Sequence, residues 1–427
     1  MPMKLESYWL DTAPRFSVGV EGPVEGRVDA VIVGGGLTGL SAALALTRRG
    51  ASVMVLEAGR IVGEASGRNG GQCNNGLAHD FTGLVQRFGL ERARAFYRAY
   101  NAAVDTVERI VHGESIECDF QRRGRIKLAA KPAHFDQLAR AHDALLAHVD
   151  ADVRLVTAQS IRDEVGSDAF YGGLIQATSA QLHPGKFGVG LAEAASRNGA
   201  RIYESAAVTE LERPSLNVYR VTSTRGTVEA TQVLLATGTT SLGPFGWFRR
   251  RMAPVGSFIV VTEPVGPALL DRLLPTRRSY VTSKNIGNYF RATSDNRLLF
   301  GGRARFAMSN PRSDEKSGRI LRATLAQVFP ELRSVGIDYC WGGLVDMTAD
   351  RLPRAGEHEG MFYAMGYSGH GVQMSVHMGQ VMADVMAGRA DANPWRQLEW
   401  PPIPGHFGKP WFLPVVGAYY RLQDILH

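Results

Sequence analysis

The segment from Val28 to Glu57 constrains this chain more than any other. It reads VDAVIVGGGLTGLSAALALTRRGASVMVLE. The apolar run Val28 to Val33 has the character of a buried strand, and Gly34, Gly36 and Gly39 follow with G-x-G-x-x-G spacing. A helical stretch carrying Leu40, Ala43, Leu44 and Leu46 stops at Gly50, and a second apolar run, Ser52 to Leu56, ends on Glu57. Strand, glycine turn, helix, strand and acid, in that order, make a dinucleotide-binding unit. Gly34 permits the tight turn, Gly36 lets the backbone approach a pyrophosphate, and Gly39 lets the helix sit close on the strand. Leu37 and Thr38 open the helix, whose unpaired N–H groups and partial positive charge face the phosphates. Glu57 lies 18 residues past Gly39, where a carboxylate holds a ribose hydroxyl, with Ala58 beside it.

The chain has 427 residues, more than one ordinary core accommodates, so two domains are expected. Its composition, 44% apolar and 21% charged, is that of a globular enzyme rather than a disordered chain. The formal charge of +7 comes without a long Lys/Arg run, which speaks for a solvated basic surface and against nucleic-acid binding. Cys73, Cys118 and Cys340 form no C-x-x-C pair, and an odd count argues against a disulfide framework, so a cytoplasmic location is expected. The start, MPMKLESYWLDTAP, lacks a signal-peptide core. No apolar stretch reaches about 18 residues, so no transmembrane helix is expected.

Residues 1–27 read as an irregular arm whose Tyr8, Trp9 and Phe16 pack on the domain surface. Helical spacing occurs at 82–112, 132–148, 187–198 and 314–329, and from Val372 to Ala387. Short strands are expected over 115–130, and strand patterns fill 200–238 and 253–305. This order implies a nucleotide domain interrupted by a strand-rich insertion.

Three further segments sharpen the reading: ASGRNGGQ (65–72), LLATGTTS (234–241) and YAMGYSGHGV (363–372). With the first motif they resemble the D-amino-acid oxidase superfamily of FAD-dependent amine and amino-acid oxidoreductases. The SYW start, the turn with His183, Pro184 and Lys186, and GYSGHG are most similar to its gamma-glutamylputrescine oxidoreductase-like branch. The resemblance covers nearly the whole chain. It implies an α/β fold (α+β in its two-domain sense): a Rossmann-like FAD-binding domain with an inserted antiparallel-sheet substrate domain. The FAD-binding domain is expected at 1–85, 150–245 and 340–427, and the substrate domain at 86–149 and 246–339.

The resemblance also implies residue roles. Gly34, Gly36 and Gly39 serve the pyrophosphate of FAD, and Glu57 the adenosine ribose. Ser66, Gly67, Arg68, Asn69, Gly70, Gly71 and Gln72 run along the cofactor towards its ring. Arg68 brings charge to phosphate or ribityl oxygens, or else is a surface arginine. Val208 offers its backbone to adenine, and Ala236, Thr237 and Gly238 make a second close approach. Backbone N–H groups of Gly369, His370, Gly371 and Val372 aim at the pyrimidine edge, where negative charge develops on reduction. His370 either contacts the flavin or is a loop residue satisfied by backbone. Sarcosine-oxidase-like relatives attach their flavin to a cysteine before an MTPD-type segment. Here that segment is Met347 to Asp350 and Gly343 stands at the linking position, so noncovalent FAD is expected. Cys73 reads as a small buried hydrophobe.

The reaction implied is oxidation of the C–N bond of an amine or amino acid by hydride transfer to flavin N5, giving an imine that hydrolyses. His370, Tyr367, Trp341 and Arg303 are the catalytic candidates, with Tyr289, Arg291 and Arg305 as further substrate contacts from the insertion. No metal site is expected at His370, since no His/Cys/Asp cluster has the spacing. The acceptor stays open between oxygen and a quinone or other carrier, because Leu298 and Leu299 stand where some relatives place a lysine. A flavoprotein without turnover is the remaining alternative. The aromatic C-terminus, HFGKPWFLPVVGAYYRLQDILH, reads as a helix docked on the protein, with peripheral membrane contact as the other reading.

Overall fold

The structure, a computed structural model, describes residues 3–240, 242–303 and 306–426, apart from the side chain of Ile425. Eight strands build the nucleotide sheet: Val208–Ser215 and Val218–Ser223 form an antiparallel extension on Gly226–Leu235, and six run in the order Arg354–His358, Met361–Met365, Gly226–Leu235, Arg27–Val33, Val53–Leu56 and Arg201–Tyr203. Among these six, all neighbours but the first pair run parallel. Arg27–Val33 takes the middle because its apolar run is buried on both faces. Ile32 and Val55 face a core shared with the helices Leu37–Thr47, Leu90–Gly113, Pro184–Arg197 and Gly371–Met386. Val31, Val33 and Met54 face the opposite core.

The second sheet has the order Ile337–Met347, Ala253–Thr262, Leu298–Gly302, Asn288–Ala292, Ser279–Thr282, Arg125–Leu128, Gly173–Gln176 and Val153–Val156. Its pairs are antiparallel except Ser279–Thr282 on Arg125–Leu128, which is parallel. Strand alternation gives it two distinct faces. Ile126 and Leu128 sink into the outer core with Leu321 and Leu325 of the helix Pro311–Val328, while Arg125 and Lys127 turn to the other face.

Sheet membership departs from the expected segments. Val153–Val156, Gly173–Gln176 and residues 340–347 of Ile337–Met347 pair in the second sheet, although 150–245 and 340–427 are the nucleotide segments of the sequence reading. We propose a division that follows the sheets. Other boundaries shift for local reasons. Gly89, at φ 78°, breaks the long helix into Phe81–Phe88 and Leu90–Gly113. The region 115–130 forms one strand, Arg125–Leu128, and the glycine loop after Glu57 contains one helical turn, Ala65–Arg68. The N-terminal arm is not superficial: it carries the helix Tyr8–Thr12, and Trp9 is fully buried.

Candidate active site

The glycine turn has the geometry its spacing requires. Gly34 sits at φ 111°, and a Cβ there would lie 2.7 Å from the carbonyl oxygen of Ala236. A Cβ on Gly39 would lie 2.0 Å from the carbonyl oxygen of Gly34, so helix and strand touch through backbone. At Gly36 a Cβ would come within 2.9 Å of Ser66 Oγ, which accepts the Leu37 N–H at 3.1 Å. Glu57 accepts N–H groups from Gly35 at 2.7 Å and Gly59 at 2.8 Å, and burial holds its carboxyl above the usual range. The Ala206 N–H donates to the Glu57 carbonyl at 2.7 Å, which sets the buried Val208 beside the acid; Ala58 is exposed there.

Between the sheets lies a cavity of about 520 Å³. Gly36, Leu37 and Thr38 line one part of it, followed by Ser66, Arg68, Asn69, Gly70 and Gln72, and by Ala236, Thr237 and Gly238. Tyr367 and Gly369 to Val372 line another, with Arg303 and Tyr289 on the roof. Gly67 and Gly71 do not line it; they shape the loop behind it. A Cβ on Gly67 would meet the Val62 carbonyl at 2.3 Å, and on Gly71 the Leu182 carbonyl at 2.4 Å. Three successive carbonyls of this loop are held from behind. Ser7 Oγ donates to Gly67 at 2.7 Å, the Trp341 indole to Arg68 at 2.9 Å, and the Trp9 indole to Asn69 at 2.7 Å.

At the far end Gly366, Ser368 and Gly369 all have left-handed backbone, with φ of 76°, 52° and 94°. This curve precedes the N-terminus of Gly371–Met386, where the first N–H groups lack partners within the helix. The His370 N–H donates to the Tyr367 carbonyl at 3.0 Å, so it is already engaged and is withdrawn from the expected donor set. The His370 ring lies edge-on to Tyr100, and its Nδ1 is buried without a partner among the described residues. Burial, with Arg125 and Arg303 nearby, pushes its pKa down to about 3, so the imidazole is neutral. The Tyr367 hydroxyl meets Thr38 Oγ1 at 2.8 Å, joining the two helix N-termini, and burial raises its pKa.

Asn74 Oδ1 and Gln373 Oε1 are also buried and unpartnered, and both residues line the cavity with His370. Three orphaned polar atoms around one cavity mark a place built for a polar ligand. Backbone stripped of Cβ atoms at Gly34 and Gly36, a helix N-terminus near each end and these orphans fit FAD, lying from the glycine turn towards Gly369.

Several candidates fall elsewhere. Trp341 has no exposed surface and packs with Trp9, Ile259 and Leu299, away from the cavity. It touches the site only through the Arg68 carbonyl and is a positioning residue, not a catalytic one. Arg291 is buried over the Trp9 ring with Nη2 donating to the Leu182 carbonyl at 2.7 Å, and burial pulls it down to about 10. Leu298 and Leu299 are core residues. Arg305 lies outside the described residues. Arg303 does reach the cavity, close to Gly369, where a Cβ would be 3.8 Å from its Nη2. Tyr289 lies against Gly70 and Gly301, its hydroxyl 3.3 Å from Ser257 Oγ. Cys340 points to the Asp314 carbonyl at 3.3 Å, and among the described residues no cysteine lines the cavity.

The sequence reading missed Arg125, Lys127, Arg351 and Asp346, all of which line the cavity. Arg125 and Lys127 share the inward face of one strand, Arg125 half-buried and Lys127 open to the cavity, and partial desolvation there lowers the pKa of both. Gln176 accepts from Arg125 Nε at 2.9 Å. Arg351 has left-handed backbone at φ 56°, a conformation costing a non-glycine residue on the order of 1 kcal/mol. Asp346 accepts the Thr239 N–H at 2.9 Å and its hydroxyl at 2.6 Å, and burial raises its pKa. The RIKL alternation carries a signal for the first pair, but which face meets a ligand depends on the second sheet closing over the first.

Fold and site together define an FAD-dependent oxidoreductase. The chain belongs to the DAO family, whose model, described as "FAD dependent oxidoreductase", matches residues 29–385. It is 33% identical over 405 residues to gamma-glutamylputrescine oxidoreductase of Escherichia coli (strain K12), covering 93% of each chain. It is 24% identical over 385 residues to glycine oxidase of Bacillus licheniformis, covering 86% of this chain and 95% of that one. The crystal structure of glycine oxidase from Geobacillus kaustophilus superposes with a TM-score of 0.70 at 24% identity, covering 87% of this chain and 100% of that one. The chain is thus an enzyme acting on amines or amino acids with FAD.

Proposed function

We propose that this enzyme oxidises the C–N bond of an amine that also carries a carboxylate, a gamma-glutamylated amine being one such molecule. One observation carries this reading. Arg125, Lys127, Arg303 and Arg351 face the cavity, and none has an acidic partner among the described residues. Arg125, Arg303 and Arg351 are half-buried and Lys127 is exposed, so what is costly is the gathering of like charges in one cavity, and a bound carboxylate offsets that repulsion while fixing the substrate's orientation. Asp346 forms no ion pair with them among the described residues: its Oδ1 accepts from Thr239, and burial raises its pKa, which disfavours the charged form.

Bound FAD supplies the two-electron oxidant. The chain's own residues bind and orient. The cations hold the carboxylate, Tyr289 and Tyr367 flank the space, and the neutral His370 adds no positive charge that would repel an incoming amine. Arg303, His370 and Tyr367 are the candidates for direct substrate or cofactor contact.

The test compares an amine bearing a carboxylate with its carboxamide. Arg351→Met is expected to raise KM about 10- to 100-fold for the carboxylate substrate, with kcat and the carboxamide's KM little changed. Equal effects on both substrates overturn the reading. Peroxide formation in air distinguishes oxygen from a quinone as acceptor.

A further inference from the structure

The C-terminal helix Leu413–Leu426 uses one face and leaves the other bare. On its inner face Leu413 is buried, Gly417 packs under Phe306, and Tyr420 stacks on the Phe306 ring at 5.8 Å. The Asp424 carboxylate accepts the Asn285 and Ile286 N–H groups, both at 2.8 Å. On the outer face Val415, Tyr419, Leu422 and Leu426, together with Trp411 in the turn just before the helix, are 55–71% exposed. Their spacing of four, four, three and four residues is one stripe along a helix. Scattered exposed apolar residues need no explanation, but a continuous stripe of this kind marks a contact surface.

Charge selects the partner. Lys409 and Arg421 flank the stripe, and Arg250 lies over the exposed Phe407 ring at 5.3 Å. From residue 401 onward Asp424 is the sole acid, and it faces inward onto the loop at 285–286. Aromatic and aliphatic side chains on one face, bordered by cations, form the pattern of a helix lying in the headgroup region of a bilayer.

We propose that this helix docks the enzyme onto an anionic lipid surface. Docking sets the loop at 283–287, whose Lys284 and Asn285 line the cavity, close to that surface. The inference does not depend on the substrate reading.

The FAD-loaded full chain is sedimented with vesicles of phosphatidylcholine alone and of phosphatidylcholine with phosphatidylglycerol. Binding is expected to the anionic vesicles and to fall with added salt. It is expected to weaken about tenfold or more in Trp411→Ser/Tyr419→Ser/Leu422→Ser, with FAD content unchanged. Lys409→Glu/Arg421→Glu is expected to remove the preference for anionic vesicles. Absence of vesicle binding overturns the proposal. So does a dimer in light scattering that the triple variant converts to monomer while vesicles do not compete, since the stripe then belongs to a second copy.

Discussion

The indole N–H of Trp341 donates to the carbonyl oxygen of Arg68 at 2.9 Å, fixing from behind the loop that lines the FAD cavity. Trp341→Phe keeps most of the packing and removes this bond. Its loss is expected to weaken FAD binding about 3- to 10-fold, read from flavin release on dilution. The kcat at saturating FAD should stay unchanged; a fall in kcat with full FAD occupancy contradicts the positioning role.

Two glycines of the same motif should fail differently. Gly39→Ala drives a Cβ to within 2.0 Å of the Gly34 carbonyl, and neither backbone can yield, so thermal stability should fall with or without FAD. Gly36→Ala meets only Ser66 Oγ at 2.9 Å, a side chain that can rotate. It should fold, with weaker FAD binding as the main defect. Calorimetry of both variants with and without added FAD checks the contrast.

His183 caps the helix Pro184–Arg197, its Nδ1 accepting the Lys186 N–H at 3.1 Å. An accepting nitrogen must be unprotonated, and burial, reinforced by Lys186, lowers the folded pKa to about 4. The unfolded chain protonates near 6.5, so between about pH 6.5 and 4 it binds more protons than the folded one. Stability therefore falls as pH drops through that window, by on the order of 2 kcal/mol at pH 5 from this group alone. His183→Asn keeps a capping side chain and should flatten this part of the Tm–pH curve. An unchanged slope contradicts it.

The cysteines are all buried, and Gly343 offers no thiol; a Cβ there would lie 3.2 Å from Arg68 Cβ. FAD should leave the denatured chain completely. A denatured mass equal to that of the bare polypeptide is expected, and retention of the flavin mass contradicts it.

The two glycine-marked helix starts are legible in the sequence because their signals are local. Gly34, Gly36 and Gly39 act within one strand–turn–helix, and Gly369 to Val372 open another helix, so spacing alone locates them. The substrate half depends on which face of a distant sheet turns inward. Arg125 and Lys127 alternate with Ile126 and Leu128, yet nothing local says that the charged face covers a ligand rather than meeting water. Trp341 shows the converse. The sequence offers it as a catalytic candidate, while the partners that bury it, Trp9 and Leu299, come from two other segments. The arm around Trp9 reads as surface for the same reason: its partners are the carbonyls of a loop some 60 residues away.

The central claim is that an amine held in this cavity reduces the flavin. Anaerobic mixing of the FAD-loaded enzyme with matched amines tests it directly, with flavin absorbance as the readout. Bleaching by an amine that carries a carboxylate, and much slower bleaching by its uncharged counterpart, is the expected result. A flavin that dithionite reduces, but that no amine or amino acid bleaches, contradicts it.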